Sequence, residues 1–105
     1  MKAYIKYISS YLPEAILSNE DLAKHNIEWS VEKIEEKTGI KKRHIIAEDE
    51  TVSDMAVLSV IPIFKREIIQ RSDIDYILLC TQSPDYLLPT TACIVQDKLE
   101  LNNTC

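Results

Sequence analysis

Apolar positions follow two spacings along the chain, and these spacings predict its elements. From Lys2 to Ser10 the residues alternate, with Ala3, Ile5 and Tyr7 on one face, which predicts a strand. The run Tyr76–Cys80 is short, rich in isoleucine and leucine, and continuous. It predicts a second strand, buried on both faces.

Capping signals predict two short helices in the first half. Ser18, with Asp21 three residues later, is typical of a capping box and predicts the start of one helix. Ser30 predicts the start of another over Val31–Lys37. Gly39, the only glycine of the chain, predicts the end of that helix, because helices often end at a residue with a left-handed backbone conformation, which glycine adopts most easily.

A longer helix is predicted further on. The polar stretch Ile40–Ala47 is predicted to be extended or irregular, and Thr51 with Asp54 then predicts a helix that continues to about Gln70. Pro62 lies inside it and predicts a kink near Leu58 or a break. Helical spacing is kept by apolar residues that we expect to face the core: Met55, Leu58, Ile61 and Ile68.

The last predicted helix follows the Tyr76–Cys80 strand. Thr90 or Thr91 can cap it, and its apolar positions are Ala92, Ile94, Val95 and Leu99. A long helix between two strands favours a right-handed parallel crossover, so we predict an α/β fold. Ligands meet such sheets at the carboxyl ends of strands, which makes the loop Thr81–Leu88 the first candidate for function.

Composition limits the function classes. The chain has 105 residues, a net charge of -5 and 46% hydrophobic residues, which suits a globular protein and argues against a nucleic-acid binder. The three cysteines have no metal-ligand spacing, and we expect them to be reduced, in the cytoplasm. No signal peptide or membrane span is expected. A single glycine, where about 7% is average, indicates an amino-terminal piece of a larger protein.

Two features carry candidate chemistry. A basic cluster could meet a phosphate or an acidic carrier protein, or could be a solvated face neutralised by neighbouring glutamates; it consists of Lys33, Lys37, Lys41, Lys42 and Arg43. Trp29 could stack on a purine or serve as an apolar anchor. His25 and His44 are expected to be structural, and no residue set for nucleophilic catalysis is present, since Cys105 has no base beside it.

Three stretches carry a resemblance to a known family: SYLPEAILSNEDLA, KTGIKKRHIIAEDETVSDMA and DIDYILLCTQSPDYLLPTTACIVQDKL. They resemble the amino-terminal part of a beta-ketoacyl-acyl carrier protein synthase III. Thr38-Gly39-Ile40, followed by Arg43-His44, is the most specific part. Residues 1–105 would then be the amino-terminal portion of one incomplete condensing-enzyme domain.

The resemblance implies a thiolase-like α/β fold with a mainly parallel sheet and crossover helices, in a cytoplasmic homodimer. It implies an acyltransferase of fatty-acid biosynthesis that condenses an acyl-CoA primer with malonyl-acyl carrier protein through a cysteine thioester. The family's catalytic cysteine, histidine and asparagine fall outside this chain, so no catalytic residue is assigned here and the piece alone should be inactive. No metal, no cofactor besides the acyl-CoA substrate, no nucleic acid and no membrane are expected.

Binding positions are also implied. Lys37 matches a family arginine that contacts CoA, and the implied site for the phosphates of CoA and of the carrier comprises Lys37, Lys41, Arg43 and Trp29. Leu88 matches a position that reaches the partner subunit's acyl pocket, and Gln82 lies in the same loop.

The chain departs from the family pattern at two positions. Lys33 stands where the adenine-stacking tryptophan is usual, and Trp29 lies four residues earlier. Glu100 occupies a usual glycine. These departures leave the substrate preference open, including a divergent synthase that uses an unusual primer. Two other hypotheses stay open: a hydroxymethylglutaryl-CoA synthase-like or secondary-metabolite condensing enzyme, and a catalytically dead binding or dimerisation module.

Overall fold

The computed structural model describes residues 2–25, 28–67 and 69–102. Its contacts divide the chain into two compact units, one formed by Leu12–Asp49 and the other by Met1–Tyr11 together with Glu50–Cys105. Ile68 and Cys105, which the sequence analysis discusses, lie outside the described residues.

The unit Leu12–Asp49 combines a small sheet with two helices: β1 (Ala15–Ser18), α1 (Asn19–His25), α2 (Val31–Thr38) and β2 (Lys42–Ile45). The two strands pair antiparallel, with Ala15 opposite Ile45 and Ser18 opposite Lys42. The prediction of an extended segment over Ile40–Ala47 is confirmed at its centre, whereas β1 was not predicted. Both strands are only four residues long, too short for a clear alternation.

The predicted caps of this unit are confirmed. The Ser18 hydroxyl accepts a hydrogen bond from the Asp21 amide at 3.2 Å, and Ser30 accepts from the Lys33 amide at 3.2 Å. Gly39 ends α2 with φ 67°, and its amide donates to the Glu35 carbonyl at 2.7 Å. Apart from its two chain neighbours, no described residue lies within 4 Å of a Cβ placed on Gly39, so conformation rather than space calls for glycine there.

The second unit is built on two helices, α3 (Val52–Lys65) and α4 (Thr91–Lys98), with a 3₁₀ turn at Arg71–Asp73. Thr51 and Asp54 form the predicted capping box of α3. Pro62 lies inside an unbroken helix, but α3 ends before Gln70, because Glu67 takes a left-handed φ of 55°. In the described part of the chain, no helix is long and apolar enough to cross a membrane.

The core of this unit lies between α3 and α4. Val95, Leu99 and Leu101 are buried, and they pack against one side of α3: Ala56, Val57, Val60 and Phe64. The sequence analysis chose a different side, and Leu58 is in fact 40% exposed. The reason is that α3 is apolar around most of its circumference, so spacing alone did not distinguish the packed side.

The two long predicted strands are not formed. Residues 2–10 and 76–80 have no ladder partner in the described structure, whose one sheet is the antiparallel pair β1–β2, so the parallel crossover is absent from it. A strand needs a neighbour's N–H and C=O groups, whatever its own pattern. Ile77 and Leu79 pack on the α3–α4 core while Leu78 is 85% exposed, so one face of this segment is covered, not both.

Candidate functional site

A cavity of about 420 Å³ opens in the unit Leu12–Asp49. Its wall combines two aliphatic residues with a tryptophan, a histidine, a threonine and an arginine: Leu22, Ile34, Trp29, His25, Thr38 and Arg43. Trp29 precedes α2 and Arg43 projects from β2, so a helix start and a strand bring these two predicted site residues together. Apolar walls with few polar groups are typical of small-molecule sites.

Arg43 is anchored on one side only. Its Nη2 donates to the Oδ1 atom of Asn19 at 3.1 Å, and Asn19, 1% exposed, donates from Nδ2 to the Ile40 carbonyl at 2.7 Å. The Nη1 atom of Arg43 is buried and has no hydrogen-bond partner among the described residues. A buried unpaired donor is costly, and a guanidinium is always charged, so this atom favours an anionic acceptor.

The indole of Trp29 carries a cation on its face. The Lys33 ammonium lies 5.2 Å from the ring centroid and donates to the Glu28 carbonyl at 3.3 Å. Such an arrangement is attractive because the ring face is electron-rich. Lys33, at the position where the resemblance implies a tryptophan, therefore packs on Trp29.

The other two predicted phosphate contacts are not in this cavity wall. Lys37 lies exposed in the last turn of α2. Lys41 is exposed and forms an ion pair with Glu35 at 3.3 Å, as the solvated-face alternative anticipates. Exposed pairs of this kind contribute at most about 1 kcal/mol.

A second candidate site is the segment 81–90, in the other unit. A cavity of about 230 Å³ there is lined by residues that include Thr81, Tyr86, Leu87 and Ala92. Gln82 and Leu88, the predicted acyl-pocket residues, do not line it, although each is a neighbour of one that does. Gln82 is exposed and Leu88 is 82% exposed.

Asp85 ties this segment to both helices. Its Oδ1 accepts from the Ser53 amide at 3.1 Å, and its own amide donates to the Thr91 hydroxyl at 3.1 Å. Partial burial opposes ionisation, but the hydrogen bonds from Ser53 and the nearby charge of Lys98 hold the pKa of Asp85 below its ordinary value.

Lys98, in the last turn of α4, completes the network. Its ammonium donates to Asp54 Oδ1 at 2.6 Å and to the Ser53 hydroxyl at 2.7 Å. The hydrogen bond from Lys98, followed by those from Thr51, lowers the pKa of Asp54 to about 2. Sequence reasoning missed Asp85 and Lys98, because their partners lie 32 and 45 residues away and no local pattern marks them.

Comparison with known proteins shows which fold the chain has. No family model matches the chain. A beta-ketoacyl-[acyl-carrier-protein] synthase III from a Sulfurovum species is 44% identical over 102 residues, 96% of this chain and 30% of that protein. A crystal structure of a 3-oxoacyl-(acyl-carrier-protein) synthase III matches with TM-score 0.79 and 40% identity, over 96% of this chain and 30% of the other. The corresponding Thermus thermophilus structure matches with TM-score 0.80 and 34% identity, over 94% and 30%.

The fold is therefore that of the thiolase-like condensing enzymes, which confirms the predicted class. Within that class, the chain is similar along nearly its whole length to proteins named beta-ketoacyl-[acyl-carrier-protein] synthase III, as the resemblance indicated. The chain spans less than a third of the length of the curated relatives it matches.

Proposed function

We propose that the protein containing this chain is a condensing enzyme of fatty-acid biosynthesis, of the beta-ketoacyl-acyl carrier protein synthase III kind. The observation that carries the proposal is the 44% identity over 102 residues with a protein of that name. The match of the fold to solved synthases at TM-scores of 0.79 and 0.80 supports it.

The reaction would proceed in two steps. A cysteine thiolate attacks the thioester carbonyl of an acyl-CoA primer, and the CoA thiolate leaves. Malonyl-acyl carrier protein then loses CO₂, and the resulting carbanion attacks the acyl-enzyme carbonyl, which returns the cysteine thiolate. We assign the cysteine, its oxyanion hole and the supporting histidine and asparagine to residues outside this chain.

This chain would contribute to CoA binding through the cavity of the unit Leu12–Asp49. The guanidinium of Arg43, which lines the cavity, suits a phosphate oxygen, and the indole of Trp29 suits the adenine ring. Lys37 and Lys41, exposed nearby in sequence, would add positive potential for the phosphates of CoA and of the carrier arm.

The segment 81–90 would contribute to acyl-chain recognition. Leu88 is 82% exposed, which suits a side chain that completes the acyl pocket of a partner subunit in a homodimer. Gln82 lies in the same segment and would border that pocket.

The test is product formation by the full-length protein. Purified protein with an acyl-CoA and malonyl-acyl carrier protein should release CO₂ and form 3-ketoacyl-carrier protein. The variant Arg43→Met should raise KM for the acyl-CoA more than Lys6→Met, which changes an exposed cation of the other unit. No product with acetyl, branched or longer primers would refute the proposal and favour a binding module without catalysis.

A further inference from the structure

The segment Tyr86–Leu88 places three consecutive apolar side chains in solvent. Tyr86 is 64% exposed, Leu87 93% and Leu88 82%. A loose segment of this kind would give no defined surface to an apolar ligand, because any binding would first have to order it. The ends of this segment are held in place.

Asp85 holds the first end through both its side chain and its backbone. Its carboxylate accepts the Ser53 amide, one of the first four amides of α3, which have no partner inside the helix. Its amide donates to the Thr91 hydroxyl at the start of α4. Ser53 is fully buried and Thr91 is 3% exposed, so water competes little for these bonds.

Lys98 holds Ser53 and Asp54 from the far end of α4, at 2.7 Å and 2.6 Å. The start of α3, both ends of α4 and residue 85 are thereby joined in one polar network. Because α4 begins directly after Pro89 and Thr90, the network fixes the segment Tyr86–Leu88 from both sides.

We infer that Asp85 is a positioning residue that fixes the Tyr86–Leu88 segment and thereby sets which acyl-chain lengths the enzyme accepts. The inference rests on the proposed function, in which this segment borders the acyl chain. Selectivity is sensitive to such placement, since one methylene in an apolar pocket changes kcat/KM by about 10- to 200-fold.

The experiment compares primer selectivity in variants of the full-length protein. The ratio of kcat/KM for a short and a long straight-chain acyl-CoA should shift by about tenfold in Asp85→Ala. Asp85→Asn should stay near the unchanged protein, because its amide oxygen accepts the same Ser53 amide. Asp75→Ala, which removes an exposed carboxylate from the same unit, is the matched control and should leave the ratio unchanged.

Thr91→Val provides a second variant if Asp85→Ala does not fold, because it removes only the acceptor of the Asp85 amide and keeps the branched shape. It should shift the ratio in the same direction. Amide hydrogen exchange should accelerate at Ser53 in Asp85→Ala and at Asp85 in Thr91→Val, because each variant removes the acceptor of that amide, and it should be unchanged at both amides in Asp75→Ala.

Two results would overturn the inference while the proposed function stands: both primers affected by one common factor, or exchange of the Ser53 amide unchanged in an active Asp85→Ala protein. Unmodified protein that transfers no acyl group refutes the proposed function and the selectivity claim together. The two failures are therefore distinguishable by the activity of the unmodified protein.

Discussion

Glu100→Gly should stabilise the protein, because Glu100 adopts a conformation that suits glycine. It follows α4 with φ 54°. Its amide donates to the Asp97 carbonyl at 2.9 Å, and the Leu101 amide donates to the Gln96 carbonyl at 3.1 Å, which is the Schellman pattern. Leu101 is thereby turned into the core, where it is 8% exposed.

The magnitude follows from two opposing contributions. A left-handed backbone costs a residue with a Cβ about 1–2 kcal/mol, which glycine avoids. Glycine also has more freedom in the unfolded chain, which offsets about 0.5–1 kcal/mol of that gain. The free energy of unfolding should therefore rise by about 0.5–1 kcal/mol.

Urea unfolding of the full-length protein measures this change. The slope of the unfolding free energy against urea concentration should stay the same. Glu100→Ala keeps the strain and should change the free energy of unfolding by less than about 0.5 kcal/mol. Glu36→Gly, at an exposed position inside α2, should lower it by about 1 kcal/mol. If Glu100→Gly destabilises the protein as Glu36→Gly does, the left-handed assignment is wrong.

Three further changes have expected outcomes. Asn19→Ala should cost about 1–3 kcal/mol of unfolding free energy, because Asn19 is buried and holds the Arg43 guanidinium. Asp54→Asn should cost about 0.5–1 kcal/mol at pH 6, since its pKa of about 2 in the fold lies below the ordinary 3.8; this difference persists above about pH 4 and disappears as the pH falls towards 2. Lys37→Glu should weaken CoA binding about fivefold at low salt, and less at high salt, because exposed charges are screened.

Each of these changes has a control or a contradicting result. Asn102→Ala, at an exposed residue, is the control and should leave the free energy of unfolding nearly unchanged. If Asn19→Ala changed the free energy of unfolding as little as Asn102→Ala does, the anchoring of Arg43 by Asn19 would be contradicted. A constant stability difference for Asp54→Asn between pH 6 and pH 3, measured by urea unfolding, would exclude the lowered pKa. Lys6→Glu reverses an exposed charge of the other unit, and equal CoA titrations for it and Lys37→Glu would remove Lys37 from the site.

Features set by neighbouring residues were predictable from the sequence. The caps at Ser30 and Thr51 and the turn at Gly39 depend on residues three or four positions apart, and all three are confirmed. The core face of α3 and the pairing of β1 with β2 were not predictable, because they depend on partners far along the chain.

In the candidate site, too, the residue types were predictable from the sequence, whereas the contacts between distant residues were not. Trp29 and Arg43 were selected by residue type and do line one cavity, whereas Lys37 and Lys41 do not. The anchoring of Arg43 by Asn19 spans 24 residues, and nothing in the local sequence indicates it. The loop Thr81–Leu88 was selected because it follows the apolar run Tyr76–Cys80, and the resemblance added Gln82 and Leu88 as acyl-pocket residues. The hydrogen bonds of Asp85 became visible only in the folded chain.

The most direct test of the central claim is the intact mass of the full-length protein after incubation with acyl-CoA alone. The account predicts a mass increase of one acyl group per subunit, removed by hydroxylamine as expected for a thioester, and lost again when malonyl-acyl carrier protein is added. An unchanged mass with acetyl, branched and longer primers, in protein that is folded and contains the catalytic cysteine, would contradict it.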